Sequence, residues 1–225
     1  MAELRTEEEQ LEAIKRWWKD NGTSLIAGVA IAAAGVFGWN AWQNYQDNRA
    51  EAASVRYQEL VNLTTTNANA NANANDEAML DQARELATEI TDEYDGTLYA
   101  ELAQLLDARL AVQQQDLEGA SRALEQVIED SSRLYVQSLA RLRLARLAIA
   151  GDEPQEALDL LEQPIVDALA AQRDDLRGDA HFALDQHEDA RNAWQNALTL
   201  AQEQSQPLYG VQLKLDDLGT KETAL

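Results

Sequence analysis

Residues 25–42, LIAGVAIAAAGVFGWNAW, carry no charge, and Asn40 is the single polar side chain among them. A helix rises about 1.5 Å per residue, so the stretch reaches roughly 27 Å, close to the ~30 Å hydrocarbon thickness of a bilayer. Trp17 and Trp18 before it, and Trp39, Trp42 and Tyr45 at its far end, put amphipathic rings at the heights of the two interfaces. A buried core helix would carry a polar face, and this segment has none before Asn40. A cleaved signal peptide would use Ala32-Ala33-Ala34 as its small-residue site, but the leader before it is long and acidic and the apolar run continues past the alanines. The expectation is an uncleaved, single-pass transmembrane helix.

Basic residues near a span are retained on the cytoplasmic side. Lys15, Arg16 and Lys19 lie close on the amino side and Arg49 alone on the other, so the amino terminus is expected in the cytoplasm and the rest of the chain outside it. In the tail, residues 1–24, Leu4, Leu11, Ile14 and Trp18 fall on one helical face, expected to lie along the inner leaflet until Asn21-Gly22 breaks it. Within the span Gly28 with Ala32, and Ala34 with Gly38, form small-xxx-small pairs that let another helix approach closely.

Charge narrows the partners. With 18 basic against 40 acidic residues the net charge is −22, most of it beyond residue 42. Such a body repels nucleic acid and anionic headgroups, so neither DNA binding nor flat adsorption to a membrane is expected of it. The chain has no cysteine, which excludes disulfides, thiolate catalysis and Cys-based metal sites.

After the span, residues 43–63 read as a helical stalk and residues 64–75, TTTNANANANAN, as a flexible tether, because alternating Asn and Ala offers too little apolar surface to fold. Residues 76–225 show continuous helical periodicity, interrupted at Asp95-Gly96, Gln115-Asp116, Asp130-Ser131, Gly151-Asp152 and around Gln206-Pro207. No stretch alternates as a strand does, and short loops make neighbouring helices antiparallel. This part is expected to fold without the stalk.

The same helical part repeats itself. Ala108-Arg109-Leu110-Ala111 recurs as Ala145-Arg146-Leu147-Ala148, Ala120 as Ala157, and Leu124-Glu125-Gln126 as Leu161-Glu162-Gln163. A third copy starts at Gly178, with Ala190 and Trp194 in the corresponding places. A helix pair repeating at roughly 34 residues, with a small residue at the crossing and a large apolar one a turn later, is the tetratricopeptide (TPR) pattern, and the fold class expected is all-α: one transmembrane helix plus a TPR-like helical-repeat domain. An irregular helical bundle is the competing reading.

Stacked repeats offer a concave binding surface. In this register Arg109 and Arg146 occupy equivalent first-helix positions facing the groove, with Phe182 in the third unit. Arginines one repeat apart are placed to grip carboxylates of an extended peptide, and the competing expectation is that both form ordinary helix-surface ion pairs. The chain has no phosphate loop, nucleophile elbow or HExxH helix. His181 and His187 are spaced unsuitably for a shared metal, and His181 is expected to serve packing or the surface. No catalytic constellation and no cofactor signature is present, which leaves protein binding.

Glu12-Ala13-Ile14-Lys15-Arg16, Asn21-Gly22, Gly38-Trp39-Asn40-Ala41-Trp42, Leu142-Arg143-Leu144-Ala145-Arg146, Leu176-Arg177-Gly178 and Ala190-Arg191-Asn192-Ala193-Trp194 together resemble the YfgM family of ancillary Sec translocon subunits. The resemblance implies a bacterial inner-membrane protein with a cytoplasmic amino terminus and a periplasmic TPR-like domain. It also implies association with the SecYEG channel and with a PpiD-like periplasmic chaperone, and a non-enzymatic adaptor role in protein export and folding. A regulator of envelope-stress signalling, with a signalling protein as partner, is the alternative. The Asn/Ala tether is unusual for that family.

Overall fold

The computed structural model of the chain describes residues 7–67 and 74–223. They form α1 (Glu7–Asn67), α2 (Ala74–Glu93), α3 (Leu98–Gln113), α4 (Leu117–Asp130), α5 (Leu134–Ala150), α6 (Pro154–Glu162), a 3-10 turn (Asp167–Leu169), α7 (Ala170–Ala183), α8 (His187–Glu203) and α9 (Val211–Thr223). Among the described residues there is no strand, and the fold is all-α.

The chain divides into two compact units, Met1–Glu51 and Ala52–Leu225. In the first, α1 passes through Asn21-Gly22 without the expected break. Gly22 costs helix about 1 kcal/mol relative to alanine. Two local contacts support the turn: Asn21 Nδ2 donates to the Trp17 carbonyl at 3.1 Å, and the Trp18 ring lies over Gly22. Among the described residues α1 is the one helix long and apolar enough to cross a membrane, and its apolar stretch is almost wholly exposed, unlike a core helix.

The second unit begins well before the tether. Leu60 of α1 is fully buried among Ala83, Leu86, Ala87 and Ile90 of α2 and Ala103 and Leu110 of α3, with Tyr57 and Leu63 against the same cluster. The second unit therefore opens at Ala52 and not at residue 76, with the last turns of α1 sharing the buried cluster of α2 and α3. The helix also continues to Asn67 and resumes at Ala74, so the Asn/Ala tether survives as an expectation only over residues 68–73, outside the described residues.

Beyond α2 each helix packs on its neighbours in the chain, and the core runs through a series of local clusters. Leu105, Ala108, Leu124, Val127, Val136, Ala140 and Leu144 join α3, α4 and α5. Leu142, Ala145, Ala157, Leu161 and Leu176 join α5, α6 and α7. Ala190, Trp194, Val211 and Leu218 join α8 and α9, with Phe182 of α7 against them. A core assembled from nearest-neighbour interfaces is the organisation of a helical-repeat solenoid.

The repeat is visible in the turns as well as in the packing. Gln115, Asp152 and Asp185 all adopt positive φ (62°, 64° and 58°), and each is followed by an N–H that reaches back into the preceding helix. Asp116 donates to Ala111 at 2.9 Å, Glu153 to Ala148 at 2.8 Å and Gln186 to His181 at 2.9 Å. This left-handed helix stop satisfies the terminal carbonyls and re-aims the chain into the second helix of each pair. The stop at Asp185 ends α7 where no break was expected, since no Gly or Pro marks it.

Ala120, Ala157 and Ala190 are fully buried at equivalent helix crossings. Replacing Ala157 by Phe is expected to destabilise the domain by about 1–3 kcal/mol through overpacking, read as a lowered midpoint in denaturant with unchanged slope.

Candidate functional site

The offset between repeats brings Arg109 of α3 and Arg146 of α5 to the same hollow. It has a volume of about 280 Å³ and is lined by Ala108, Arg109 and Val112 of α3, Leu124 of α4, and Arg143, Arg146 and Leu147 of α5. Arg109 and Arg146 are exposed and Val112 is 40% exposed, whereas Arg143 is half-buried. The floor is apolar and the rim cationic.

Arg143 belongs to the Leu142-Arg143-Leu144-Ala145-Arg146 motif, but repeat spacing does not place it in the groove. It stands one helical turn before Arg146, and the spacing alone gives it no repeat partner. Its Nη1 donates to the Leu105 carbonyl of α3 at 2.9 Å, which holds the guanidinium across the gap between the two first helices. Burial, then the neighbouring charges of Arg146 and Arg109, lower its proton affinity below that of an ordinary arginine. Tyr57 of α1 lies close enough to feel it: burial raises the Tyr57 hydroxyl above its usual range, and Arg143 opposes that rise.

The ion pairs expected as the alternative for Arg109 and Arg146 do not form among the described residues. Neither they nor Arg143 has a carboxylate within 4 Å there. Asp175, whose carboxyl feels Arg146, is engaged by Lys214 Nζ at 2.6 Å.

Phe182 does not reach this hollow. It lies 5.8 Å from the Trp194 ring and 5.7 Å from the His187 ring, against the cluster under α9. In the third repeat this aromatic residue serves packing, against Trp194 and His187. His181 Nδ1 pairs with Gln186 Oε1 at 2.7 Å, a contact within its own helix-to-helix turn. Among the described residues no group of three His, Cys, Asp or Glu side chains is placed to hold a metal ion.

In α1, Gly28, Ala32, Ala34 and Gly38 are exposed, and a Cβ at Gly28 or Gly38 would meet nothing within 4 Å. At 3.6 residues per turn the two pairs face directions roughly 120° apart, and Gly35 falls in line with Gly28 and Ala32.

Residues 15–220 match the family model of the tetratricopeptide repeat-like domain. An ancillary SecYEG translocon subunit of Aggregatibacter actinomycetemcomitans is 31% identical over 97% of this chain and all of its own length. The subunit of the same name from Escherichia coli is 30% identical over 84% of this chain and 85% of its own, and that from Haemophilus influenzae is 28% identical over 97% of this chain and all of its own. No solved structure matches the chain. An apolar helix long enough to span a bilayer, a solenoid of helix pairs repeating Ala120, Ala157 and Ala190 at its crossings, and full-length similarity to these proteins place the chain in the family of ancillary SecYEG translocon subunits with a tetratricopeptide repeat-like domain.

Proposed function

We propose that the chain is a non-enzymatic, membrane-anchored adaptor that holds periplasmic proteins, a PpiD-like chaperone among them, at the SecYEG translocon and so assists export and folding. The observation that carries this reading is the cationic hollow on a repeat solenoid whose chain also bears an exposed apolar helix. Such a solenoid presents side chains to a ligand from several helices at once, which suits recognition of a protein segment. The basic residues Lys15, Arg16 and Lys19 before the apolar stretch favour a cytoplasmic amino terminus and a periplasmic repeat domain in the inner membrane.

Full-length protein purified from detergent-solubilised membranes should recover channel subunits together with a periplasmic chaperone. A reporter fused after Leu225 should be active only outside the cytoplasm. Recovery of a signalling protein without the channel would replace this reading by that of an envelope-stress regulator. Changing Gly28 and Gly38 to Leu should leave insertion intact and weaken the recovery, because bulk on those faces keeps a neighbouring helix at a distance. Unchanged recovery would assign attachment to the repeat domain and leave the span as anchor alone.

A further inference from the structure

Several other arginines of the repeat domain are paired with carboxylates. Arg84 meets Asp107 at 2.9 Å and Asp116 at 3.1 Å, Arg133 meets Glu101 at 2.7 Å, Arg173 meets Asp174 at 2.7 Å, and Arg56 meets Glu59 at 3.1 Å. Arg109, Arg143 and Arg146 stand apart: three like charges share one hollow, in a chain with 40 acidic side chains, and none of those acids among the described residues pairs with them. Like charges a helical turn apart, as at Arg143 and Arg146, destabilise the helix that carries them. The proton affinity of Arg143 is lowered first by burial and then by this crowding with Arg146 and Arg109. An anion entering the hollow would relieve it.

The lining also limits what the anion can be attached to. Val112, Leu124 and Leu147 give the hollow an apolar wall, which a phosphate or a sugar backbone would leave unused. At about 280 Å³ the space suits a few side chains rather than a folded surface. In an extended peptide, residues two apart project to the same side. A segment with a carboxylate and an aliphatic side chain at that spacing can present both to the hollow together.

We propose that this hollow receives an extended segment of a partner protein in which acidic and aliphatic side chains stand two residues apart. The carboxylate sits between the guanidinium groups of Arg109 and Arg146, with Arg143 held behind them by the Leu105 carbonyl. The aliphatic side chain lies against Val112, Leu124 and Leu147. The assignment rests on the adaptor reading for its biological setting, while the chemistry of the hollow stands on its own geometry. Guanidinium–carboxylate forks supply direction and the apolar wall supplies burial, so both halves of the motif are needed.

The test uses the full chain in nanodiscs of phosphatidylcholine, with a fluorescent peptide repeating Glu-Ser-Leu-Ser followed by anisotropy. The same peptide with Gln for Glu, and another with Ser for Leu, should each bind at least about tenfold more weakly, a difference of about 1.4 kcal/mol. Arg109→Gln and Arg146→Gln should each weaken the parent peptide by about tenfold, with thermal midpoints no lower than the parent's, and Arg146→Lys should recover part of the loss, since it keeps the charge without the fork. Affinity should fall as salt is raised. Equal binding of the Glu and Gln peptides, or full binding by folded Arg109→Gln and Arg146→Gln variants, overturns the assignment. Recovery of channel subunits from membranes is scored separately. A parent protein that binds the peptide but recovers no channel fails the adaptor reading alone, and one that recovers the channel without discriminating the peptides fails the hollow alone.

Discussion

A chain beginning at Ala52 should melt cooperatively, whereas one beginning at Asp76 should lose that cooperativity and expose apolar surface. The reason lies in α1, where Leu60 and Ala53 are fully buried and Tyr57 and Leu63 pack against the first core cluster. Truncating a single buried leucine to alanine costs about 2–5 kcal/mol, and whole domains are stable by only about 5–15 kcal/mol. Removing the helix discards several such contacts together and uncovers Ala83, Leu86, Ala87 and Ile90 of α2. Two further links are lost, the ring contact of Tyr57 with Tyr99 at 5.9 Å and the ion pair of Arg56 with Glu89. Circular dichroism melts of the two fragments decide the matter. A fragment from Asp76 that melts at the same temperature and as sharply as the one from Ala52 would refute the role given to Leu60. Within the full chain, Leu60→Ala alone should lower stability by the 2–5 kcal/mol just stated.

The second large effect is expected at Gly178. A Cβ there would lie 2.3 Å from Trp194 Cδ1 and Nε1, far inside contact distance. The indole cannot step aside easily, because Nε1 donates to the Asp175 carbonyl at 3.2 Å and to Asp179 Oδ1 at 3.1 Å, and Lys214 Nζ stands 5.8 Å from the ring centroid while bridging Asp175 and Asp179. Overpacking costs about 1–3 kcal/mol, and losing the hydrogen bonds of a buried ring adds about 1 kcal/mol each, so Gly178→Val should destabilise by roughly 3–5 kcal/mol. The other two repeats solve the same crossing with Ala108 against Leu124 and Ala145 against Leu161. The third repeat takes one methyl from the small partner and gives a larger ring to the other. Gly178→Ala and Trp194→Leu should therefore each destabilise alone, and the double variant should lose less than their sum by about 0.5–3 kcal/mol. Strict additivity in denaturant titrations would refute this coupling.

These two positions differ in how far the amino-acid sequence alone reveals them. The Gly178–Trp194 pair follows from repeat spacing, since Ala120, Ala157 and Ala190, and Leu124, Leu161 and Trp194, recur in order and all prove buried. Leu60 does not. It lies outside the repeat, beyond an Asn/Ala stretch that breaks the periodic pattern, and nothing local distinguishes a stalk helix from the opening helix of a solenoid. The arginine site is legible by half. Arg109 and Arg146 share a repeat position and share a hollow, while Arg143 enters through one hydrogen bond to a carbonyl of another helix. Phe182 shows the converse, a residue in an apparently equivalent helix that packs beside Trp194 and does not line the hollow.

Sequence by itself determined the apolar helix of α1 and the all-α repeat class, because both are written as one-dimensional patterns: uninterrupted hydrophobicity over the length of a bilayer, and a small-then-large spacing that recurs. Tertiary structure alone decided that the repeat domain opens at Ala52, that α1 passes unbroken through Asn21-Gly22, and that three arginines meet without a carboxylate among the described residues. The first and third outcomes depend on which surfaces face each other, which helix crossings set, while the unbroken turn at Gly22 rests on the local contacts of Trp17 and Trp18. A pattern along one helix gives the face that must be covered; the helix that covers it is chosen by the competition among all the others for the same buried area.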